Sequence, residues 1–187
     1  MTFAEIIHRL KAGNRRFAAG TLNGEFQTSN RRNELAAGQS PYAIILGCAD
    51  SRVVPELVFD AGLGELFTVR VAGNVANTSS IASIEYAVAF LKSKVIVVLG
   101  HESCGAVTAA LSGGDNGKNL EHLLSHITSA EQFERNLSLE TAVKLNAKYA
   151  AGVLASDSAI LGEAVRNNDI RILPAYYHLA SGEVEFL

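Results

Sequence analysis

Four short apolar segments alternate with segments of helical periodicity between residues 42 and 177, and this alternation restricts the possible folds most. The predicted strands are residues 42–46, 65–70, 94–99 and 170–177. Strands that are separated by helices pair in parallel through right-handed crossovers. We therefore expect an α/β fold with a mostly parallel four-stranded central sheet flanked by helices, and with a short C-terminal edge strand at residues 183–187.

The segments before and between these strands carry helix signals. Apolar residues recur every three or four positions, and polar caps or a proline mark several helix starts. One predicted helix is capped by residues 77–80 and ends at residue 90. The other predicted helices are residues 3–19, 55–59, 104–111, 120–128, 139–154 and 157–165. Residues 1–40 are expected to form an N-terminal helical arm and a polar loop with room for one short helix. With 187 residues and 48% hydrophobic composition, one domain is expected over residues 1–187.

Charge and hydropathy argue against several classes of partner. The formal net charge is −3, and the chain has no long basic stretch, so neither nucleic-acid nor membrane-surface binding is expected. Residues 81–99 form the longest apolar stretch, but three charged residues interrupt it, which is not typical of a membrane span. Glu5 and Arg9 interrupt the N-terminal apolar pattern, so no cleaved secretory signal is predicted and a cytoplasmic location is expected.

Both cysteines of the chain lie near the predicted ends of strands, beside imidazole or charged side chains. Cys48 follows the first strand and is followed by Asp50 and Arg52, whereas His101 follows the third strand and Cys104 comes three residues later. Ligands bind at the carboxyl ends of strands in open α/β sheets, so these side chains are expected to converge. Two thiolates and one imidazole are the protein ligands of a catalytic zinc ion. We therefore predict a zinc site with an ion pair between Asp50 and Arg52 beside it.

These two motifs together resemble the signature of the β-class carbonic anhydrases. The resemblance implies a zinc ion held by Cys48, His101 and Cys104, with water or the Asp50 carboxylate in the fourth position. It also implies reversible hydration of carbon dioxide to bicarbonate and a proton by attack of zinc hydroxide. In this scheme Asp50 accepts the proton of the hydroxide, and Arg52 holds Asp50 off the metal by a charge-assisted hydrogen bond.

The same resemblance implies a substrate pocket and an assembly. It places Gln39, Phe67, Ala72 and Tyr86 around the metal, with Gln39 as a hydrogen-bond donor to substrate or product. Considered without the family, the two aromatic residues would be predicted as core. In the family a second subunit closes the pocket, so a homodimer or a dimer of dimers is expected.

Three positions depart from the family's usual pattern. Val71 stands where many members have Asn, and Glu102 stands where Thr or Ser usually follows the zinc histidine. Ile45 stands where the bicarbonate-inhibited members have Trp, so that regulatory pocket is not expected here. We therefore predict an open site in which Asp50 pairs with Arg52.

Several alternatives remain open at the level of sequence. Carbonyl sulfide and carbon disulfide are linear isosteres of carbon dioxide, so their hydrolysis on the same scaffold is one alternative. A non-catalytic zinc protein, with Asp50 as a permanent fourth ligand, is another. A redox switch through Cys48 and Cys104 is a third. The sequence does not choose a proton shuttle among the remaining histidines.

Overall fold

The computed structural model describes residues 1–24 and 27–187, and its centre is a β-sheet. Its strands lie within two residues of the predicted bounds. They are β1 (Ala43–Gly47), β2 (Leu66–Arg70), β3 (Val95–His101), β4 (Arg171–Tyr177) and β5 (Val184–Phe186). All residues of β1 and β3 are buried. Continuous apolar segments are typical of such strands because both faces of the sheet are covered.

The strand order is β2-β1-β3-β4-β5. The first four strands pair in parallel and β5 pairs antiparallel to β4, which confirms the predicted four-stranded parallel sheet with a C-terminal edge strand. After β1 the chain adds β2 on one side, and it then returns to add β3 on the other side. The carboxyl ends of β1 and β3 therefore form a topological switch point, which is where ligands bind in sheets of this kind.

Helices cover both faces of the sheet. Within the described residues they are α1 (Phe3–Ala18), α2 (Ser29–Leu35), α3 (Pro55–Val58), α4 (Thr78–Ala89), α5 (Gly105–Ser112), α6 (Lys118–Thr128), α7 (Leu139–Ser156) and α8 (Ala159–Arg166). The short α2 lies in the polar segment that we predicted as a loop with room for one short helix. In the described part of the chain, no helix combines the length and apolar character that crossing a membrane requires.

Alternate residues of the central strands enter two separate apolar layers. Ile45 and Val97 belong to the layer that also contains residues of α1 and α3. Ile44 and Val98 belong to the layer that contains residues of α4, α7 and α8. The period-2 alternation of strand side chains produces this division. The sheet is thus the middle of three layers, and its carboxyl edge is left for the loops that carry the site.

Helix α1 is docked on the core and does not extend away from it as an arm. Thr2 and Glu5 form a capping box that fixes its start. Its apolar stripe buries Ile6 and Leu10 in the layer that also contains Ile45 and Val97. Gly13 lies directly against the carbonyl group of Phe59, where a side chain would not fit. The predicted helix is present, and its apolar stripe explains why it packs on the sheet.

Asn14 joins α1 to two other segments. Its Nδ2 donates hydrogen bonds to the carbonyl oxygens of Val58 (3.1 Å) and Gly182 (2.8 Å). Its Oδ1 accepts a hydrogen bond from the N–H of Val184 at 2.9 Å. The side chain is buried and satisfied by backbone groups, as a buried amide requires. One residue thus connects the first helix with the hairpin that ends the chain.

The close contact at Gly13 can be tested with a matched pair of substitutions. Gly13→Ala is expected to lower the free energy of unfolding by about 1–3 kcal/mol, because the new Cβ overlaps the Phe59 carbonyl and α1 must move. Gly152→Ala, in α7 where the described structure leaves open space, is expected to raise it by about 0.5–1 kcal/mol. Urea unfolding followed by circular dichroism measures both. Equal stability of the two variants would contradict this packing of α1.

Candidate metal centre

The first side chain of the site belongs to the residue that follows β1. Cys48 is buried, and its Sγ accepts hydrogen bonds from the N–H groups of Asp50 (3.4 Å) and Gly73 (3.3 Å). Gly73 lies in a 3-10 turn, Ala72–Asn74, with a φ of +72° that glycine adopts without strain. Donors directed at a sulfur atom stabilise its charged form. The local backbone is therefore arranged for a thiolate.

The second side chain, His101, is the last residue of β3 and is 0% exposed. Its Nδ1 lies 2.8 Å from the carbonyl oxygen of Glu102. A carbonyl oxygen can only accept, so Nδ1 carries the proton and Nε2 keeps its lone pair. This Nε2 is buried and has no hydrogen-bond partner among the described residues. A buried acceptor without a partner is costly, and a metal ion would satisfy it.

The third side chain belongs to Cys104, which occupies the N-cap position of α5 without a side-chain capping hydrogen bond. The positive end of a helix dipole favours a thiolate at this position. The ligand atoms of Cys48, His101 and Cys104 all lie within 4.8 Å of one another, and all three residues are buried. Two sulfurs and one imidazole nitrogen form a donor set that suits zinc. The residues present therefore fit a zinc ion.

The two thiols influence each other's protonation. A hydrogen bond from the Cys104 thiol, with further hydrogen bonds from the N–H groups of Asp50 and Gly73, lowers the pKa of Cys48 to about 4. The pKa of Cys104 moves upward because of its hydrogen bond to Cys48, its burial and the neighbouring negative charge. Two adjacent buried thiolates require a cation, and metal binding is the usual way to supply one.

Asp50 is held beside this cluster by Arg52. The guanidinium donates to both carboxylate oxygens, with Nε 2.9 Å from Oδ1 and Nη2 2.8 Å from Oδ2. The side-chain hydrogen bond from Arg52 is the largest cause that moves the pKa of Asp50 well below its ordinary value. The carboxylate Oδ2 lies 3.9 Å from Nε2 of His101. An ionised carboxylate therefore lies next to the three ligand atoms, and Arg52 of the same loop binds both of its oxygens.

A second arginine, which we did not single out from the sequence, holds the backbone of the same loop. Arg70 donates from Nε to the carbonyl oxygen of Cys48 (3.0 Å) and from Nη2 to that of Asp50 (2.6 Å). It is the last residue of β2 and is in register with Gly47, the residue before Cys48. A charged residue at the carboxyl end of a strand next to β1 is the sequence signal that could have indicated it.

Asn146 is another supporting residue that sequence reasoning missed. It is 1% exposed on α7, and its Nδ2 donates to the carbonyl oxygen of Gly73 at 2.7 Å. Gly73 in turn donates its N–H to Cys48, so Asn146 supports the turn behind the ligand. The signal was present as a single polar residue in the otherwise apolar buried face of this helix.

One chain does not bring the whole predicted substrate pocket to this site. Ala72 precedes Gly73 in the turn at Cys48 and is therefore close. Phe67 is in register with Ile44, four residues before Cys48. At about 3.3 Å per residue, that places it about 13 Å away along the sheet.

Gln39 and Tyr86 also lie away from the metal centre of their own chain. Gln39 precedes β1, so the length of the strand separates it from Cys48. The ring of Tyr86 packs on Phe67, with ring centroids 6.3 Å apart. Within one protomer these residues therefore lie away from the ligand atoms, because β1 keeps them at a distance, and their place in the substrate pocket stays a prediction.

The link between Arg52 and Asp50 predicts a change in ionisation. Arg52→Gln is expected to raise the pKa of Asp50 toward the ordinary carboxyl value of about 3.9, because it removes the largest cause of the lowering. The folded pKa lies below the unfolded one, so the pair's contribution to stability is present at neutral pH and is lost as the pH falls through the acid range. The substitution removes that contribution.

Carbon-13 NMR titration of the Asp50 carboxyl group in reduced, metal-free protein measures this pKa. Arg166→Gln, at an exposed position at the end of α8, serves as the matched control and should leave the titration unchanged. The same Asp50 pKa in wild type and in Arg52→Gln would mean that the guanidinium does not control the ionisation of this carboxylate.

Comparison with known proteins identifies the family. A family model described as carbonic anhydrase matches residues 43–184. "Carbonic anhydrase 2" of Mycobacterium tuberculosis is 38% identical over 180 residues, which cover 92% of this chain and 87% of that protein. A carbonic anhydrase of Mycolicibacterium smegmatis is 39% identical over 183 residues, covering 94% and 89%.

Solved structures agree with this assignment. One, from a study of two tetrameric β-carbonic anhydrases of Sordaria macrospora, superimposes with a TM-score of 0.76 at 25% identity, covering 98% of this chain and 97% of that one. A Coccomyxa β-carbonic anhydrase in complex with acetazolamide superimposes with a TM-score of 0.75 at 25% identity, covering 94% and 83%. The chain is therefore a member of the carbonic anhydrase family, and of its β class.

Proposed function

We propose that this chain catalyses the zinc-dependent, reversible hydration of carbon dioxide to bicarbonate and a proton. One observation carries the proposal: the buried cluster of Cys48, His101 and Cys104 lies beside a carboxylate that an arginine holds. Within the part of the chain that the structure describes, the Nε2 atom of the imidazole has no hydrogen-bond partner. The family to which the chain belongs supports the same activity.

The residues divide into metal ligands and groups that act on the reactants. Cys48, His101 and Cys104 would hold zinc. Bound zinc acts as a Lewis acid that lowers the pKa of a water molecule to about 7. Two thiolates weaken this effect relative to an all-histidine site, since they neutralise the charge of the ion. The surrounding groups of the protein must therefore assist in forming the nucleophile.

Asp50 is the group that gives this assistance. It is ionised and can only accept hydrogen bonds, so it orients the attacking water by accepting its proton in a hydrogen bond. Arg52 engages both carboxylate oxygens and keeps Asp50 from occupying the metal itself. Carbon dioxide is small and apolar, and the apolar cluster that contains Cys48 and Cys104 also includes Val75, with Val71 and Ala106 packed against it. An apolar surrounding of this kind admits the substrate and limits competing water.

The active unit is a homodimer or a dimer of dimers. Tyr86 is 45% exposed and Phe90 is 74% exposed, and their rings stack with centroids 5.3 Å apart. Exposed aromatic side chains next to an edge strand are suited to burial against a second copy. The partner subunit's Phe67 and the partner subunit's Tyr86 would then complete the pocket that one chain leaves incomplete. The Sordaria macrospora β-carbonic anhydrases, which are described as tetrameric, support such an assembly.

Two expectations from the sequence stay predictions. These are the cytoplasmic location and the organisation of residues 1–187 as one domain. Neither affects the chemistry of the site.

The catalytic proposal predicts that zinc retention and activity separate between variants. Asp50→Ala is expected to keep zinc and to lose carbon dioxide hydration by about 10²–10⁴-fold, the range typical of general acid–base groups. Cys48→Ser and His101→Ala are expected to lose zinc, because each removes a ligand atom of the cluster. Stopped-flow hydration assays and elemental analysis measure the two quantities. Asp169→Ala, at an exposed position after α8, is the control and should retain both.

The same assay separates the alternative functions when carbonyl sulfide is included as a second substrate. Rapid turnover of carbon dioxide supports the proposal. Turnover of carbonyl sulfide alone would replace it with the hydrolase alternative. Tightly held zinc with no turnover of either gas would favour the non-catalytic zinc protein. Full activity in Asp50→Ala would refute the role assigned to the carboxylate.

The assembly predicts its own substitution effect. Phe90→Glu places a charge in the exposed aromatic patch and is expected to give a monomer of 19.8 kDa with reduced activity, because the partner's Phe67 and the partner's Tyr86 are then lost from the pocket. Wild type is expected to have at least twice that mass by light scattering. Ile160→Glu, at a 46%-exposed position on α8, is the control. A monomeric wild-type protein with full activity would contradict the proposed assembly.

A further inference from the structure

We propose that Glu102 is a positioning residue for His101: its carboxylate ties the loop between β3 and α5 to the hairpin between β4 and β5, and thereby fixes the imidazole for metal binding. The proposal rests on the zinc site of the proposed function and assigns a role to a residue outside its ligand set. Position 102 is also one at which this chain departs from the Thr or Ser usual in the family.

Glu102 makes three hydrogen bonds, each with a different group. Its carbonyl oxygen accepts the Nδ1 proton of His101 at 2.8 Å. Its N–H donates to the carbonyl oxygen of Tyr177 at 2.9 Å, which extends the pairing of β3 with β4 by one residue. Its carboxylate Oε2 accepts the N–H of Leu179 at 2.9 Å. The carbonyl that orients His101 is therefore held by the backbone on one side and by the side chain on the other.

The hairpin that receives the carboxylate is a firm support. His178 donates its N–H to the carbonyl oxygen of Glu183, and Gly182 donates to that of His178, both at 2.9 Å. The side chain of Asn14 in α1 donates a hydrogen bond to the carbonyl oxygen of Gly182 and accepts one from the N–H of Val184. A rigid partner is what allows one side-chain hydrogen bond to fix the direction of a neighbouring carbonyl.

The loop between the two ligands needs such support because its backbone is strained. Ser103 has a φ of +54°, in the left-handed region that costs a non-glycine residue about 1–2 kcal/mol. Its carbonyl oxygen accepts a hydrogen bond from Nη2 of Arg52 at 3.3 Å. Glu102 and Arg52 thus hold the strained residue from both sides. Without the carboxylate the loop can relax, and the Glu102 carbonyl would then turn away from His101.

Side-chain length explains why the residue type matters. A Ser or Thr hydroxyl at position 102 ends two atoms short of a glutamate carboxylate oxygen, so it would not reach the N–H of Leu179. Gln has the same length as Glu and also offers an acceptor oxygen. The structure therefore predicts that Gln preserves the positioning of His101 and that Ala or Thr loses it.

The experiment compares Glu102→Ala, Glu102→Thr and Glu102→Gln in the full chain. Zinc dissociation constants are measured by competition with a chelator, and exchange of the His101 Nδ1 proton with solvent is measured by NMR on zinc-loaded protein. The Ala and Thr variants are expected to bind zinc about tenfold more weakly. This is the lower end of the effects seen when a hydrogen-bond partner of a metal-binding histidine is substituted. They should also speed proton exchange at least about tenfold. Gln is expected to stay within about threefold of wild type in both, because it keeps the acceptor.

Glu163→Ala, at an exposed position on α8, is the control for removal of a carboxylate and should match wild type. If Ala fails to fold, Thr and Gln carry the comparison. Wild-type zinc affinity and proton exchange in the Ala and Thr variants would overturn the role of Glu102 and leave the proposed function intact, and so would an equal loss in Thr and Gln. A wild-type protein that retains no zinc would instead overturn the proposed function, and this inference with it.

Discussion

The parallel pairing of β1 with β3 is the constraint on which the rest of the molecule depends. It places Gly47 beside Leu99, so the residues that follow β1 and the end of β3 lie at the same point of the sheet edge. The connection after β1 leads to β2 on one side of β1, and the connection after β2 leads to β3 on the other side. This reversal creates a topological switch point between the carboxyl ends of β1 and β3. A thiolate from one loop and an imidazole with a thiolate from the other then meet without any further rearrangement.

Around that meeting point, backbone groups are held by side chains that come from other elements. Arg70 from β2 holds the carbonyls of the first loop, and Asn146 from α7 holds the turn that donates to Cys48. Arg52 spans from the first loop to the carbonyl of Ser103 in the second. The ligands themselves are thus few, and most of the polar contacts serve to fix where they point. This division agrees with the general dependence of metal sites on outer contacts.

Strand positions, helix positions and the convergence of the three ligand side chains could be predicted from the sequence. Apolar segments of strand length and capping residues are local signals, and the fold rule for strand ends does not need side-chain detail. The partners of Arg70, Asn146 and Glu102 could not be predicted, because each contact joins segments that are far apart in the chain. The docking of α1 depends on Gly13 fitting against Phe59, which periodicity does not reveal. The position of Phe67 within one chain depends on strand register, which the family pattern does not contain.

The hydrogen bonds of Asn14 connect the first helix with the hairpin between β4 and β5, which is far away along the sequence. Its acceptors and donor lie 44, 168 and 170 residues further along the chain. During synthesis the first helix therefore lacks these neighbours until residues 182–184 have left the ribosome. Contacts between such distant segments slow folding, because the entropy of closing a long loop is lost before they form. The loops that bear the ligands would become rigid only after the hairpin between β4 and β5 has formed, and a metal ion would meet a finished pocket only at that stage.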